Sequence, residues 1–134
     1  MKCCKETGAL VLRLFFGVFF LSFGAMKLFG GLEATTGMFT ELGFPAASFL
    51  ALVVALVEFL GGLALILGFF TRWFALLLTV VMLVAAFTVH WKNGWHFMNG
   101  GWSMHFALIG GLLSLFFSGS GKCSLEQSLL GKEY

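Results

Sequence analysis

Residues 45–70 read "PAASFLALVVALVEFLGGLALILGFF", an apolar run with a single acidic residue, Glu58, near its middle. A helix needs about 20 consecutive apolar residues to cross a bilayer, so this run is long enough. A charged side chain at the centre of such a helix costs about 2.5–3.5 kcal/mol on insertion scales, and it usually faces the interior of a bundle. The run therefore predicts a membrane-spanning helix whose Glu58 side faces other helices and has a partner there.

The whole chain has the composition of a membrane protein. Of its 134 residues, 60% are hydrophobic and only 10% are charged, which is far from the average of soluble domains. There is no long acidic or basic tail that would indicate nucleic-acid binding. We therefore expect a single membrane domain over residues 1–134, with the lipid bilayer as a partner and no nucleic acid.

Four apolar runs, separated by polar turns that contain glycine, predict the fold class. It is an all-α, integral-membrane, antiparallel four-helix bundle with short interfacial helices. The predicted spans are about residues 9–29, 45–70, 73–90 and 103–117. No convincing small-residue cleavage site follows the first run, so it is interpreted as a retained helix rather than as a signal peptide.

Short segments between and after the spans carry signals of their own. Residues 34–42 predict an interfacial turn or helix. Its lipid-facing side chains are expected to be Met38, Phe39 and Leu42. Residues 71–72 predict a tight hairpin between the second and third spans. Residues 124–127 match a capping box, which would begin a short helix in a surface segment covering residues 122–134.

The distribution of lysine and arginine predicts the orientation in the membrane. With four spans, two of the eight basic residues lie on one side, Lys27 and Lys92. The other six share the opposite side: Lys2, Lys5, Arg13, Arg72, Lys122 and Lys132. Because cytoplasmic segments carry the excess of positive charge, both termini are expected in the cytoplasm of a bacterial cell with the chain in its plasma (inner) membrane.

The three cysteines have no spacing that indicates a metal site or a disulfide. They are Cys3, Cys4 and Cys123. By the predicted topology they lie in a reducing compartment, where incidental thiols are the favoured interpretation and a redox role is the alternative.

Polar and small residues recur along one face of the first span at steps of four and three. They are Arg13, Gly17, Phe20, Gly24 and Lys27. The glycines would allow another helix to approach closely, and Gly61, Gly62 and Gly68 would do the same beside Glu58.

The charged residues on these faces have two interpretations. In the first, Glu58 pairs with Arg13 and only fixes the helix register. In the second, Glu58 is part of a proton or ligand site. For Lys27, the favoured interpretation is that its stem extends to the headgroups.

All three histidines lie within residues 87–106, around the turn between the third and fourth spans. Two imidazoles could bind one haem or a metal ion, but no Cys, Asp or Glu in that segment completes a metal site, so none is predicted. For His96 and His105, position near the interface is the favoured explanation, together with the tryptophans of an aromatic belt. His90 lies at the inner end of the apolar run, where its imidazole could meet the polar face.

The order of these motifs resembles one known family. Over about residues 9–130, the chain contains "RLFFGVFFLSFGAMKLFGG", "ELGFP", "VEFLGGLALILGFFTRWFALLL", "MLVAAFTVHWKNGW", "NGGW" and "SGSGKCSLEQSL". This succession resembles the DoxX family of small four-helix bacterial membrane proteins. Matching positions include Arg13, Lys27, Glu58, Arg72 and His90. The chain departs from the family pattern after Gly101, where Ser103 stands in place of a frequent glutamate.

The resemblance implies a role in membrane redox chemistry. The family takes its name from a subunit linked with a thiosulfate:quinone oxidoreductase, and relatives are associated with membrane complexes that handle thiol and oxidative stress. The resemblance therefore implies that this chain is an oxidoreductase subunit or a quinone-handling component. Its partner would be a redox-complex protein or a second copy of the chain. Whether the chain is itself an enzyme is left open, because it has no CxxC pair, nucleotide-binding loop or metal set.

The resulting hypothesis is that a quinone, rather than a haem, enters between the helices at their outer end. His90 and Lys27 would bind its carbonyl oxygens, and Glu58 would exchange protons. The catalytic candidates are thus Glu58 and His90, and the ligand-binding candidates are Arg13, Lys27 and Trp91. Two alternatives are a non-catalytic scaffold for a soluble partner and a small-molecule or proton-coupled transporter formed by oligomers.

Overall fold

The computed structural model describes residues 2–121, Ser124, and residues 128 and 129. In this part of the chain the regular structure is helical and contains no strand, which confirms the all-α prediction. The helices are α1 (Lys2–Met26), α2 (Leu32–Glu41), α3 (Ala47–Leu67), α4 (Thr71–Ala85) and α5 (Ser103–Ser118). π-helical turns at Lys27–Gly31 and Ala86–His90 continue α1 and α4. Short 3₁₀ turns at Trp91–Asn93 and Phe97–Asn99 form part of the connection to α5.

Three helical stretches in the described residues are long and apolar enough to cross a membrane. They cover Lys5–Glu41, Ala47–Leu67 and Thr71–Asn93. The predicted fourth span is α5, an apolar helix of 16 residues, which is about 24 Å long. It is shorter than the hydrocarbon core of about 30 Å, so local thinning of the bilayer would have to accommodate it.

The pairing of α1 with α3 depends on glycines that let the two backbones approach. A Cβ atom on Gly17 would lie 2.9 Å from the carbonyl oxygen of Gly62, and one on Gly24 would overlap the backbone nitrogen of Phe59. In lipid, close backbone packing of this kind replaces the hydrophobic effect as the force between helices. These contacts fix an antiparallel register in which the C-terminal end of α1 lies beside the middle of α3.

The predicted interior face of α1 is buried. Arg13 and Phe20 are each 1% exposed, and Gly17 and Gly24 are also buried. Phe20 packs in the central apolar cluster with side chains of α3, α4 and α5, among them Leu65, Leu78 and Leu112. One face of α1 therefore carries both the close helix contact and part of the core.

Two local predictions need correction. The interfacial segment is helix α2, but Phe39 is only partly exposed and its ring lies 5.4 Å from that of Phe44, so it does not simply face lipid. The turn between α3 and α4 uses residues 68–70 rather than 71–72, because Gly68 and Phe70 adopt positive φ angles of 72° and 47°. Gly68 ends α3 in the left-handed conformation that is common at helix C-termini.

Some predictions fall on residues that the structure does not describe. The capping-box segment 124–127 is described only at Ser124, and Cys123 lies outside the described residues. Cys3 and Cys4 are placed by their backbone in α1, without a description of their side chains. The role of the cysteines therefore stays a prediction.

Replacing Gly24 by alanine tests the close contact of α1 with α3. The added methyl group would meet the backbone of Phe59, which cannot move as a flexible side chain would, so the helices must separate. Overpacking of this kind typically costs about 1–3 kcal/mol. We expect a lower thermal unfolding temperature for Gly24→Ala in detergent.

Gly110→Ala is the matched control, because a Cβ on Gly110 meets no atom within 4 Å. In the exposed middle of α5 alanine is the better helix former, so this variant should be as stable as the wild type or slightly more stable. Equal loss of stability in both variants would contradict the close approach at Gly24.

Candidate functional site

The side chains of Lys27 and Glu58 form an ion pair across α1 and α3. The Lys27 ammonium donates to both carboxylate oxygens of Glu58, at 2.8 Å to Oε1 and 2.7 Å to Oε2. The Glu58 side chain is 3% exposed and that of Lys27 is 28% exposed. A charge-assisted pair of this geometry compensates part of the cost of placing Glu58 in the apolar interior.

This pairing corrects two interpretations of the sequence. Lys27 is bonded to Glu58 and does not extend to the headgroups, and Arg13 is not the partner of Glu58. Arg13 and Lys27 lie 14 positions apart in the sequence, which is about 21 Å along a helix. The antiparallel register therefore places Arg13 at the opposite end of the bundle.

Arg13 is buried at that opposite end, where it binds the chain after α5. Its Nη1 atom donates to the carbonyl oxygen of Ser120 at 2.5 Å. A Cβ on Gly68 would lie 2.6 Å from the same Nη1 atom, so the turn after α3 also packs against the guanidinium. Arg13 thus connects α1 to two other segments and lies outside the lining of the cavity described next.

A cavity of about 250 Å³ lies between the helices, in the half of the bundle that carries Lys27 and not Arg13. Four ionisable side chains line it: Lys27, Glu58, His90 and His105. Most of the remaining lining is apolar and comes from α2, α3, α4 and the residues between α2 and α3, with Phe39, Phe44, Val54, Val81 and Met82 among the contributors. The structure thus brings three of the sequence-predicted candidates together, namely Lys27, Glu58 and His90.

The protonation pattern of the His90 ring follows from one hydrogen bond. Its Nδ1 atom lies 2.6 Å from the carbonyl oxygen of Gly100. A carbonyl oxygen can only accept, so Nδ1 carries the hydrogen and donates it, and in the neutral ring Nε2 is then an acceptor. The Asn93 side-chain amide donates to the same carbonyl at 3.2 Å, which helps to hold the loop against His90.

His105 is the site residue that sequence reasoning missed. The sequence favours a position near the membrane interface, but the structure buries His105 to 8% exposure, with its ring 4.2 Å from that of His90. Its Nδ1 atom is enclosed and has no hydrogen-bond partner among the described residues. The signal was present in the spacing of α5, whose buried face consists of His105, Leu108, Leu112 and Leu115.

The structure does not bring Trp91 into the cavity lining. Its side chain is 52% exposed and stacks on Trp102, with ring centroids 5.3 Å apart and an interplanar angle of 20°. Trp95 and Phe106 pack against Trp102 as well. This exposed aromatic cluster is typical of side chains at a membrane interface.

Both π-helical turns carry a residue of the site. Lys27 begins the turn after α1, and His90 ends the turn after α4. A π-helical turn inserts an extra residue into an α-helix and redirects the side chains around it, and such turns occur frequently at functional sites. The two irregular turns therefore bring side chains at the ends of α1 and α4 to one cavity.

A metal-binding cluster is not found where the structure describes side chains, since no group of three or more His, Cys, Asp or Glu residues there could hold an ion. What the cavity offers instead is an ammonium, a carboxylate and two imidazoles beside an apolar wall. Such groups can bind polar atoms of an otherwise apolar ligand and can exchange protons with it.

Comparison with known proteins relates the chain to one family. A sequence model of the family described as DoxX matches residues 8–91. The chain is 35% identical over 139 aligned residues to the inner membrane protein YqjF of Escherichia coli, with 100% of both chains covered. No solved structure matches it significantly.

Two further relatives are similar over much of their length. The protein named "Putative oxidoreductase CatD" of Bacillus subtilis is 37% identical over 65% of this chain and 63% of its own. The membrane protein Rv3486 of Mycobacterium tuberculosis is 32% identical over 88% of this chain and 78% of its own. Together with the apolar helices, the similarity to YqjF supports a multi-pass protein of the bacterial inner membrane.

Substituting the two members of the ion pair tests whether they depend on each other. Lys27→Met and Glu58→Met each leave one charge in the interior without its partner, whereas the double variant removes both charges. Loss of one partner of a buried pair costs about 3–5 kcal/mol, and we expect the low end because Lys27 is 28% exposed. The double variant should recover most of the stability.

Thermal unfolding in detergent measures all three variants, with Lys92→Met as the control at an exposed lysine of the α4–α5 connection. If the losses of the two single variants simply added up in the double variant, the ion pair would contribute nothing to stability.

Proposed function

The chain belongs to the DoxX family of membrane proteins, and we propose that it binds the head group of a lipid-soluble quinone as a component of a membrane redox system. The single observation that carries this proposal is the cavity between the helices, which combines apolar walls with the Lys27–Glu58 pair and two histidines. Ligand pockets of this composition use apolar walls for affinity and a few polar groups for orientation.

The size of the cavity limits the ligand. Its volume of about 250 Å³ is below the range of about 300–1,000 Å³ that is usual for drug-sized ligands. It therefore suits a single substituted ring and not a macrocycle such as haem. A quinone head group is such a ring, with polar oxygens on an apolar frame.

The position of the opening indicates that the ligand comes from the membrane. Met38, Val80 and Val84 line the cavity and are nevertheless 36%, 51% and 47% exposed. Val80 and Val84 lie one helical turn apart in the spanning part of α4, where exposed side chains face lipid. A long apolar tail could leave the cavity between these side chains while the ring stays beside Lys27 and Glu58.

Protons and electrons would follow different routes in this proposal. A quinone that gains two electrons also takes up two protons, and Glu58 and His90 are the groups in the cavity that can exchange them. Lys27 would orient an oxygen of the ring. The electrons would come from a partner oxidoreductase. A redox role is in keeping with the name of the relative CatD. With both termini in the cytoplasm, as the basic residues indicate, the cavity would lie towards the outer side of the membrane.

Quinone binding to the protein in nanodiscs tests this function. Wild-type protein should bind decyl-ubiquinone, and an organic extract of the protein purified in mild detergent should contain a native quinone by mass spectrometry. Glu58→Gln and His90→Ala should each weaken binding of the reduced form, decyl-ubiquinol, about tenfold, as expected for the loss of one strong hydrogen bond from a ring hydroxyl group.

His96→Ala is the matched control for the histidine, because His96 is exposed in the loop and lies outside the cavity lining. It should bind as the wild type does. Absence of quinone binding in well-folded wild-type protein would exclude the proposed function, and the scaffold for a soluble partner would become the favoured alternative.

A further inference from the structure

The hydrogen-bonding groups in the cavity are not balanced between donors and acceptors. This matters for a quinone site, because the oxidised ring can only accept hydrogen bonds, whereas the two hydroxyl groups of the reduced ring can also donate them. We propose that the site prefers the hydroquinone form of its ligand to the quinone form. The inference rests on the proposed function and names the redox form that the site would hold.

The first acceptor is Nε2 of His90. Its ring is fixed because Nδ1 donates to the carbonyl oxygen of Gly100, which leaves Nε2 without a hydrogen in the neutral ring. Nε2 of the neutral ring can therefore accept a hydrogen bond from a ligand in the cavity that His90 lines.

The second acceptor is the carboxylate of Glu58. Each of its oxygens receives one hydrogen bond from Lys27. A carboxylate has about four lone-pair positions, so each oxygen can accept one more bond. A ring hydroxyl that donates to this carboxylate would form a strong, charge-assisted hydrogen bond.

The two threonines of the lining also act as acceptors. The Thr35 hydroxyl donates its hydrogen to the carbonyl oxygen of Gly31 at 2.9 Å, and the Thr88 hydroxyl donates to that of Val84 at 2.6 Å. Because each hydroxyl has only one hydrogen, neither can donate to a ligand at the same time. Their oxygens can still accept.

Donors to the ligand are fewer. An ammonium has three hydrogens, and Lys27 uses two of them on Glu58. One N–H of Lys27 is thus available, and the His105 ring can contribute a second donor in only one of its two tautomers. Acceptors therefore outnumber donors, which fits a ring with two hydroxyl groups better than a ring with two carbonyl groups.

Binding of decyl-ubiquinol and decyl-ubiquinone to the protein in nanodiscs, measured separately without oxygen, tests this preference. The reduced form should bind about tenfold more tightly, the effect of one additional strong hydrogen bond. A tenfold preference would also raise the midpoint potential of the bound two-electron couple by about 30 mV above that of the unbound couple.

His90→Phe keeps an aromatic ring beside His105 but removes the acceptor, so the ratio of the two affinities should fall towards one. His96→Phe, in the exposed loop, should leave the ratio unchanged. Glu58→Gln is a second test, since the amide adds N–H donors and should shift the ratio towards the oxidised form. Thermal unfolding of each variant shows that it is folded.

The outcomes separate this inference from the proposed function. Equal affinities, a preference for the oxidised form, or a ratio that is unchanged in both His90→Phe and Glu58→Gln would overturn the inference while the quinone site remains. If neither form binds to folded wild-type protein, both fail.

Discussion

The ion pair between Lys27 and Glu58 is the interaction on which the half of the bundle around the cavity depends. Glu58 lies in the middle of the most apolar helix, where an acidic group requires a partner, and Lys27 is that partner because α1 and α3 meet in one particular antiparallel register. The pair also forms part of the cavity lining. One contact therefore contributes to helix packing and to the polar character of the site.

The other half of the bundle is held together differently. There the buried Arg13 donates to the carbonyl oxygen of Ser120. The glycines of α1 and α3 bring the two backbones together along their shared length, from Gly17 beside Gly62 to Gly24 beside Phe59. At the end that carries Lys27, α1 and α4 continue into π-helical turns, and the cavity lies between the elements there.

The sequence was sufficient for the all-α membrane fold, the buried face of α1 and the interior position of Glu58, because the periodicity of apolar and small residues is local information. The partner of Glu58 was not predictable in this way, since Arg13 and Lys27 share one helix face and only the register with α3 separates them. His105 was hidden by its position next to interfacial tryptophans, although its spacing with Leu108 and Leu112 already indicated the buried face. The two π-helical turns have no simple sequence signal, so the positions of Lys27 and His90 around the cavity required the structure.

The central claim is that the cavity beside Lys27 and Glu58 holds a lipid-soluble ring. Its most direct test is photolabelling of the protein in nanodiscs with an azido-quinone. Mass spectrometry then maps the labelled residues. The proposed site predicts labels on cavity-lining residues of α3, α4 and the π-helical turn after α4, such as Val54, Met82 and Val89, that disappear when unlabelled quinone competes. Labels confined to lipid-facing residues of α1, such as Phe15 and Val18, and insensitive to competition would contradict it.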